Sequence, residues 1–213
     1  MPRGRPQSKN EEVVLPLIPR RDTVVFPKTF AQLLVMRRSS LRAIEVAMDG
    51  DRTILVVARR DPQATDFAPE GLYSVGTEAV ISRVLRLPDG SAAIWVQGQR
   101  RVKVVKVVAE DEIFRARALP IVETDERSPR AETMMRAGLS LFQKVVELSP
   151  KLPSEVYIAA SNADSPGWLA DLIVSSLELT LAQRQEFLEM LNPLDRLQQV
   201  SLLLAKELEV LEL

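Results

Sequence analysis

The sequence predicts an α+β chain in which a β unit carrying one helix is followed by an all-helical unit. Two observations lead there. Residues 13–121 hold short β-branched apolar runs punctuated by Pro and Gly, whereas beyond residue 128 apolar residues recur at spacings of 3 and 4. Charge breaks at the same place. Residues 1–122 carry 20 Lys and Arg against 14 Asp and Glu, a net +6, and residues 123–213 carry 8 against 15, a net −7. The 213 residues therefore divide into a disordered polar tail over 1–12, a β unit over 13–122, a polar linker over 123–128 and a helical bundle over 129–213.

In the β unit, Val13–Ile18 is an apolar strand stopped by Pro19, and Val24–Phe26 is a second stopped by Pro27. Leu33–Met36 is a third, and Ile54–Ala58 has the compact β-branched character of a buried strand. Val80–Leu87 and Ala92–Val96 flank Pro88-Asp89-Gly90, the clearest hairpin turn in the chain. Val102–Val108 and Ile113–Ile121 complete the set. One helix fits here, Leu41–Met48, capped by Ser39 or Ser40 and stopped by Gly50.

In the helical unit, Ser128-Pro129 opens a helix that runs to about Leu148 and ends at Ser149-Pro150. A short helix spans Pro153–Ala160, and Ser165-Pro166 opens another to Ser175. Thr180-Leu181-Ala182-Gln183 has the form of a capping box for a helix to Leu191. Asn192-Pro193 opens the last helix, whose Leu194, Leu197, Ser201, Leu204, Leu208 and Leu211 alternate at 3 and 4 to form one stripe. That stripe reaches Leu213 without a Gly, Asn or Pro stop, and Glu207, Glu209 and Glu212 crowd an end that favours cations. The expectation is a helix cut from a longer chain, its first half packed in the bundle and its exposed end available for self-association.

Composition excludes a great deal. With no Cys and no His, the chain holds no disulfide, thiolate nucleophile, imidazole base or zinc site built on those residues. No apolar run reaches the roughly 20 residues of a membrane span, and the N-terminus lacks a signal-peptide apolar region, so a cytoplasmic setting is the default. Gly71-Leu72-Tyr73-Ser74-Val75-Gly76 imitates half of a phosphate-binding loop, but Thr77-Glu78 follows where Lys and Ser/Thr are required. No nucleophile elbow is present, and none of the seven lysines has a motif pairing it with a serine. No catalytic, metal or cofactor-binding residues are assigned. Glu110-Asp111-Glu112 reads as a solvated turn, because adjacent carboxylates do not converge on one point.

Five segments stand out in order: Leu15–Pro27 (LPLIPRRDTVVFP), Ile54–Pro62 (ILVVARRDP), Leu72–Ile81 (LYSVGTEAVI), Leu87–Gly90 (LPDG) and Val96–Val104 (VQGQRRVKV). In this order and spacing they resemble one family, the N-terminal domain of the ATP-dependent Lon proteases. The resemblance covers nearly all of 13–213 and is strongest in the first half. Met36 stands where the family usually has glycine, and Arg20 where it has an aliphatic residue. The resemblance implies a small, partly open PUA-like β barrel, then a helical bundle leading by a long helix toward an ATPase. It implies a non-catalytic region that recruits unfolded or damaged polypeptides and helps organise a hexamer. ATP, Mg2+ and Ser–Lys proteolysis are implied for the parent chain and no cofactor for this one. The alternative is a stand-alone PUA-like adaptor or nucleic-acid binder.

Capture of unfolded chains requires exposed apolar surface, the feature that folded proteins hide. The candidates are Phe26, Pro27 and Phe30 in the loop after the first motif, and Leu85 and Leu87 beside the hairpin tip, against the ordinary reading that large apolar side chains are inside. Arg101 and Lys103 are candidate charged contacts, since alternation puts them on one strand face. That face is read as solvated, as a subunit or substrate contact, or as a nucleic-acid patch, the last lacking interleaved aromatics.

Overall fold

The computed structural model describes residues 11–124 and 127–213. The tail expected over 1–12 lies outside the described residues except for Glu11 and Glu12, as do Asp125 and Glu126 of the linker. The chain divides into two units, Met1–Val122 and Glu123–Leu213.

The first unit contains β1 (Val13–Arg20), β2 (Phe30–Val35), α1 (Arg38–Asp49), β3 (Thr53–Ala58), β4 (Val75–Arg86), β5 (Ala92–Glu110) and β6 (Ile113–Pro120). The strand order is β2-β5-β4-β3-β1-β6, and β6 pairs back onto β5. Five strands thus close on themselves, and β2 stands outside the ring, paired with β5. All pairings are antiparallel except β1 with β3. The core gathers Ile18, Leu33, Val35, Ile54, Ile81, Ile94 and Val96 under the Ala43, Ile44 and Ala47 face of α1.

Several expected elements are corrected. β1 does not stop at Pro19. Its first half pairs with β6 and its second half with β3, so each half has a partner on one side only, where a residue lacking N–H is tolerated. Val24–Phe26 is a buried loop rather than a strand. Its carbonyls are satisfied by hydroxyls, Thr77 Oγ1 donating to Val25 O (2.6 Å) and Thr29 Oγ1 to Phe26 O (2.7 Å). The two strands expected over 92–96 and 102–108 are one 19-residue strand, β5. The polar stretch between them is not a turn, because Gly98 packs on the Phe26 backbone and Arg100 pairs with Glu78 on β4 (2.7 Å). Ser39 and Ser40 do not cap α1. Its N-cap is Arg37, whose side chain makes no capping bond.

The hairpin turns follow local chemistry. Gly90 adopts φ +87°, and Asp89 accepts hydrogen bonds from the Ser91 hydroxyl and backbone N–H. Those bonds hold the Asp89 carboxyl below the usual carboxylate range. Asp111 and Glu112 join β5 to β6 with φ values of 50° and 65°, the positive angles a two-residue hairpin requires.

The second unit holds α2 (Pro129–Leu148), α3 (Ser154–Ser161), α4 (Pro166–Ser176), α5 (Leu181–Glu189) and α6 (Pro193–Leu211). Ser128 accepts from the Ala131 N–H, and Asn192 accepts from the Leu194 and Asp195 N–H groups. Ser165 precedes α4 without a side-chain capping bond. Both halves of the Thr180–Gln183 capping box are present. Thr180→Ala is therefore expected to cost about 1 kcal/mol, read as a shift in the chemical-denaturation midpoint. α6 buries Leu194, Leu197, Val200 and Leu204, and Gly138 on α2 leaves room for Leu197 and Ser201. Among the described residues no helix is long and apolar enough to cross a membrane.

Candidate functional site

Residues opposite one another in an antiparallel pair point to the same face, so register decides which side chains meet. Leu34 on β2 opposes Ala93 on β5, which opposes Leu85 on β4. Gln32 opposes Trp95, which opposes Arg83, and Phe30 opposes Gln97. The alternate residues Leu33, Val35, Ile94 and Val96 fill the core, so this second set forms the outer face. There Phe30 is 75% exposed, Leu34 47% and Leu85 43%, with Trp95 half-buried between the strands. The exposed Arg83 guanidinium lies 4.9 Å from the Trp95 ring centroid, a cation–π contact on the outer face.

β2 is also an edge. Thr29 O accepts from Gly98 N–H, and Lys28 N–H donates to Gly98 O. Alternation therefore turns the backbone groups of Ala31, Leu33 and Val35 toward β5 and those of Phe30, Gln32 and Leu34 toward the open side. An extended chain laid beside Phe30 and Gln32 would find main-chain donors and acceptors as well as apolar side chains, the Leu34 carbonyl being held by Arg20.

Of the residues expected from the sequence, Phe30 and Leu85 lie on this face. Phe26 does not. It is buried in the core, because its loop is clamped by Thr29, Thr77 and Gly98, and its availability for binding is corrected. Pro27 and Leu87 are half-buried at the ends of turns. Arg101 and Lys103 keep the unbroken alternation of β5 but differ in burial. Arg101 is buried and Lys103 exposed, so a shared solvated face of the two is also corrected. Leu34 and Trp95 were not singled out in the sequence, because each sits in a run of apolar residues that hides the alternation.

A cleft of about 240 Å3 opens at the C-terminal end of β2, lined by Leu34 and Met36 together with Arg20, Arg21, Arg37 and Arg59. Arg20 is buried, and its Nη1 donates to Leu34 O (2.8 Å) while Nη2 pairs with Asp22 (2.7 Å). Burial and the neighbouring charges of Arg59 and Arg21 push the Arg37 guanidinium below its ordinary pKa, with Asp66 opposing them.

The remaining sequence motifs are structural. Gly76 of the imitation phosphate loop is inside β4, where an added Cβ would stand 2.7 Å from Val56 O. Glu110-Asp111-Glu112 is the β5–β6 hairpin. Among the described residues no cluster of three acidic side chains could hold a metal ion.

Comparison with known proteins adds three findings. The model of the ATP-dependent protease La (LON) substrate-binding domain matches residues 14–206. Lon protease 2 of Herpetosiphon aurantiacus is 42% identical over 200 residues, covering 93% of this chain and 24% of that protein. The Lon protease of Dictyoglomus thermophilum is 38% identical over 207 residues, covering 97% of this chain and 26% of that protein. The chain thus spans about a quarter of the length of these curated relatives. Among solved structures, the N-terminal domain of a Mycobacterium avium complex Lon protease superposes with a TM-score of 0.71 at 22% identity, covering 88% of this chain and 96% of that one. A Lon N-terminal domain protein from Xanthomonas campestris gives 0.62 at 19% identity. At these identities the structural likeness is one of fold.

Proposed function

The chain belongs to the family of Lon substrate-binding domains, and from that premise we propose that it engages unfolded or damaged polypeptides through the outer face of β2, β5 and β4. The observation that carries this reading is the grouping of Phe30, Leu34 and Leu85, all substantially exposed, around Trp95 beside the open edge of β2. Large apolar side chains exposed together on a sheet face mark a binding surface. Unfolded chains share two features, apolar side chains and unpaired backbone, and this face meets both. Affinity at one copy is weak, because the bound segment must be ordered. Several copies on an oligomeric ring, a hexamer in this reading, raise the effective affinity without new contacts. ATP hydrolysis with Mg2+ and Ser–Lys peptide cleavage belong, in the same reading, to the rest of a chain as long as the relatives.

The test is fluorescence anisotropy of a labelled, permanently unfolded polypeptide titrated with the chain at low and high salt. Saturable binding that survives high salt is expected. The Leu34→Ser/Leu85→Ser double variant should weaken it at least tenfold without lowering the unfolding temperature, since both side chains are exposed. Unchanged affinity in that variant, or binding that salt abolishes, would remove this face as the capture site.

A further inference from the structure

We propose that the cleft at the end of β2 receives a carboxylate of the captured polypeptide, so that the domain favours apolar segments ending in or followed by a negative charge; this rests on the β2 face being the polypeptide site. Four arginines, Arg20, Arg21, Arg37 and Arg59, line the cleft against one carboxylate, Asp22. Asp22 is already held by Arg20 at 2.7 Å, which shows that a carboxylate fits this wall, and with Asp66 near Arg37 the arginines still outnumber the carboxylates. Arg20 is 8% exposed, and its Nε is buried without a hydrogen-bond partner. Arg59 satisfies the Ala64 and Asp66 carbonyls through Nη2 alone (both 2.8 Å).

The same cleft receives the start of α1, whose 12 residues begin beside Arg37 with no side-chain cap and no acidic residue in the first turn. A helix N-terminus carries partial positive charge, so Arg37 and Arg38 occupy the end where sequence rules place Asp or Glu. Charge crowds charge here: after burial, which is the larger cause, the cations of Arg59 and Arg21 hold the Arg37 pKa down, with Asp66 opposing them. A bound anion relieves it.

The walls tell which anion. Pro19, Leu34 and Met36 are apolar, and Met36 is 60% exposed. A free hydrated phosphate gains nothing from such walls, whereas a carboxylate carried on an apolar chain covers them. Leu34 belongs both to the outer face and to the cleft, so a segment lying along the six residues of β2 delivers its end to the arginines.

Three labelled peptides test this, each about twelve residues long so as to overrun β2, with one leucine- and serine-rich sequence. One ends in a free carboxylate, one in an amide, and one in an amide with Glu as its last residue. In anisotropy titrations the free acid is expected to bind the chain about tenfold tighter than the amide. A Glu peptide that matches the free acid assigns the site to any carboxylate, and one that matches the amide assigns it to the chain terminus. The acid-to-amide ratio should fall to near one in Arg37→Gln and in Arg21→Gln, both solvent-accessible positions. Equal binding of acid and amide overturns the carboxylate site while leaving the apolar face standing. Failure of every peptide to bind removes the apolar reading and this one with it. Excess inorganic phosphate that abolishes the ratio overturns the choice of carboxylate in favour of a phosphate site.

Discussion

Arg196→Ala is expected to destabilise the helical unit by about 3–5 kcal/mol, the loss typical of removing one partner from a buried ion pair. Arg196 is 0% exposed on α6. Its Nε lies 3.0 Å from Asp171 Oδ1, an ion-pair contact rather than an aligned hydrogen bond. Its Nη1 lies 2.9 Å from Glu123 Oε1, Nη2 donates to Glu123 Oε2 (3.0 Å), and Nη1 also donates to Met190 O. One guanidinium thus ties α4, α6, the end of α5 and the entry to the unit. Truncation leaves the buried Asp171 carboxylate without this cation and the Met190 carbonyl without this donor. Gly167 shows how tightly the group is housed, since an added Cβ would stand 2.7 Å from Nη2. The loss compares with a whole domain stability of about 5–15 kcal/mol, so the variant should populate an unfolded second unit. Urea unfolding followed by far-UV circular dichroism measures it. Arg196→Met/Asp171→Leu should recover part of the loss, because it removes the buried pair and roughly keeps the volume, leaving the half-buried Glu123 without this cation. A single-variant loss below about 1 kcal/mol would show the cluster to be no more than a surface pair.

Gly98→Ala is expected to cost about 3 kcal/mol or more, the upper end for overpacking, since the clash is with backbone. The new Cβ would lie 2.1 Å from Phe26 O and 2.8 Å from Phe26 C. Relief requires moving the loop that buries Phe26 and that bonds to Gly98 through Lys28 and Thr29. Phe30 follows that loop directly, so a lower unfolding temperature should come with weaker polypeptide binding. Gly71→Ala is the control, because nothing lies within 4 Å of its added Cβ. Equal unfolding temperatures for the two variants would refute the close approach.

Local chemistry was legible in the sequence wherever a turn or a cap had to be made. Gly90, Ser128, Thr180 and Asn192 do in the structure what their neighbours imply. Long-range pairing was not. β5 reads as two strands because the reasons for Gly98 and Arg100 lie on distant segments, at Phe26 and Glu78. Arg101 and Arg196 look solvated in one dimension and are buried in three, since charge alone does not reveal a buried partner. On the site, Phe30 and Leu85 were visible as apolar residues near turns, whereas Leu34 and Trp95 required register. Arg37 and Arg38 did carry a signal, two cations at a helix start, in conflict with every capping rule.

The closure of the ring through β6 also sets an order of events on the ribosome. Glu12 and Arg117, which pair across that closure, are 105 residues apart in the sequence. At about 5–20 residues added per second, β1 waits roughly 5–20 s for its second partner strand. During that interval the nascent chain has β1 beside at most one neighbour, whereas each helix of the later unit can form as it emerges. For those seconds the chain exposes strands that its finished ring pairs.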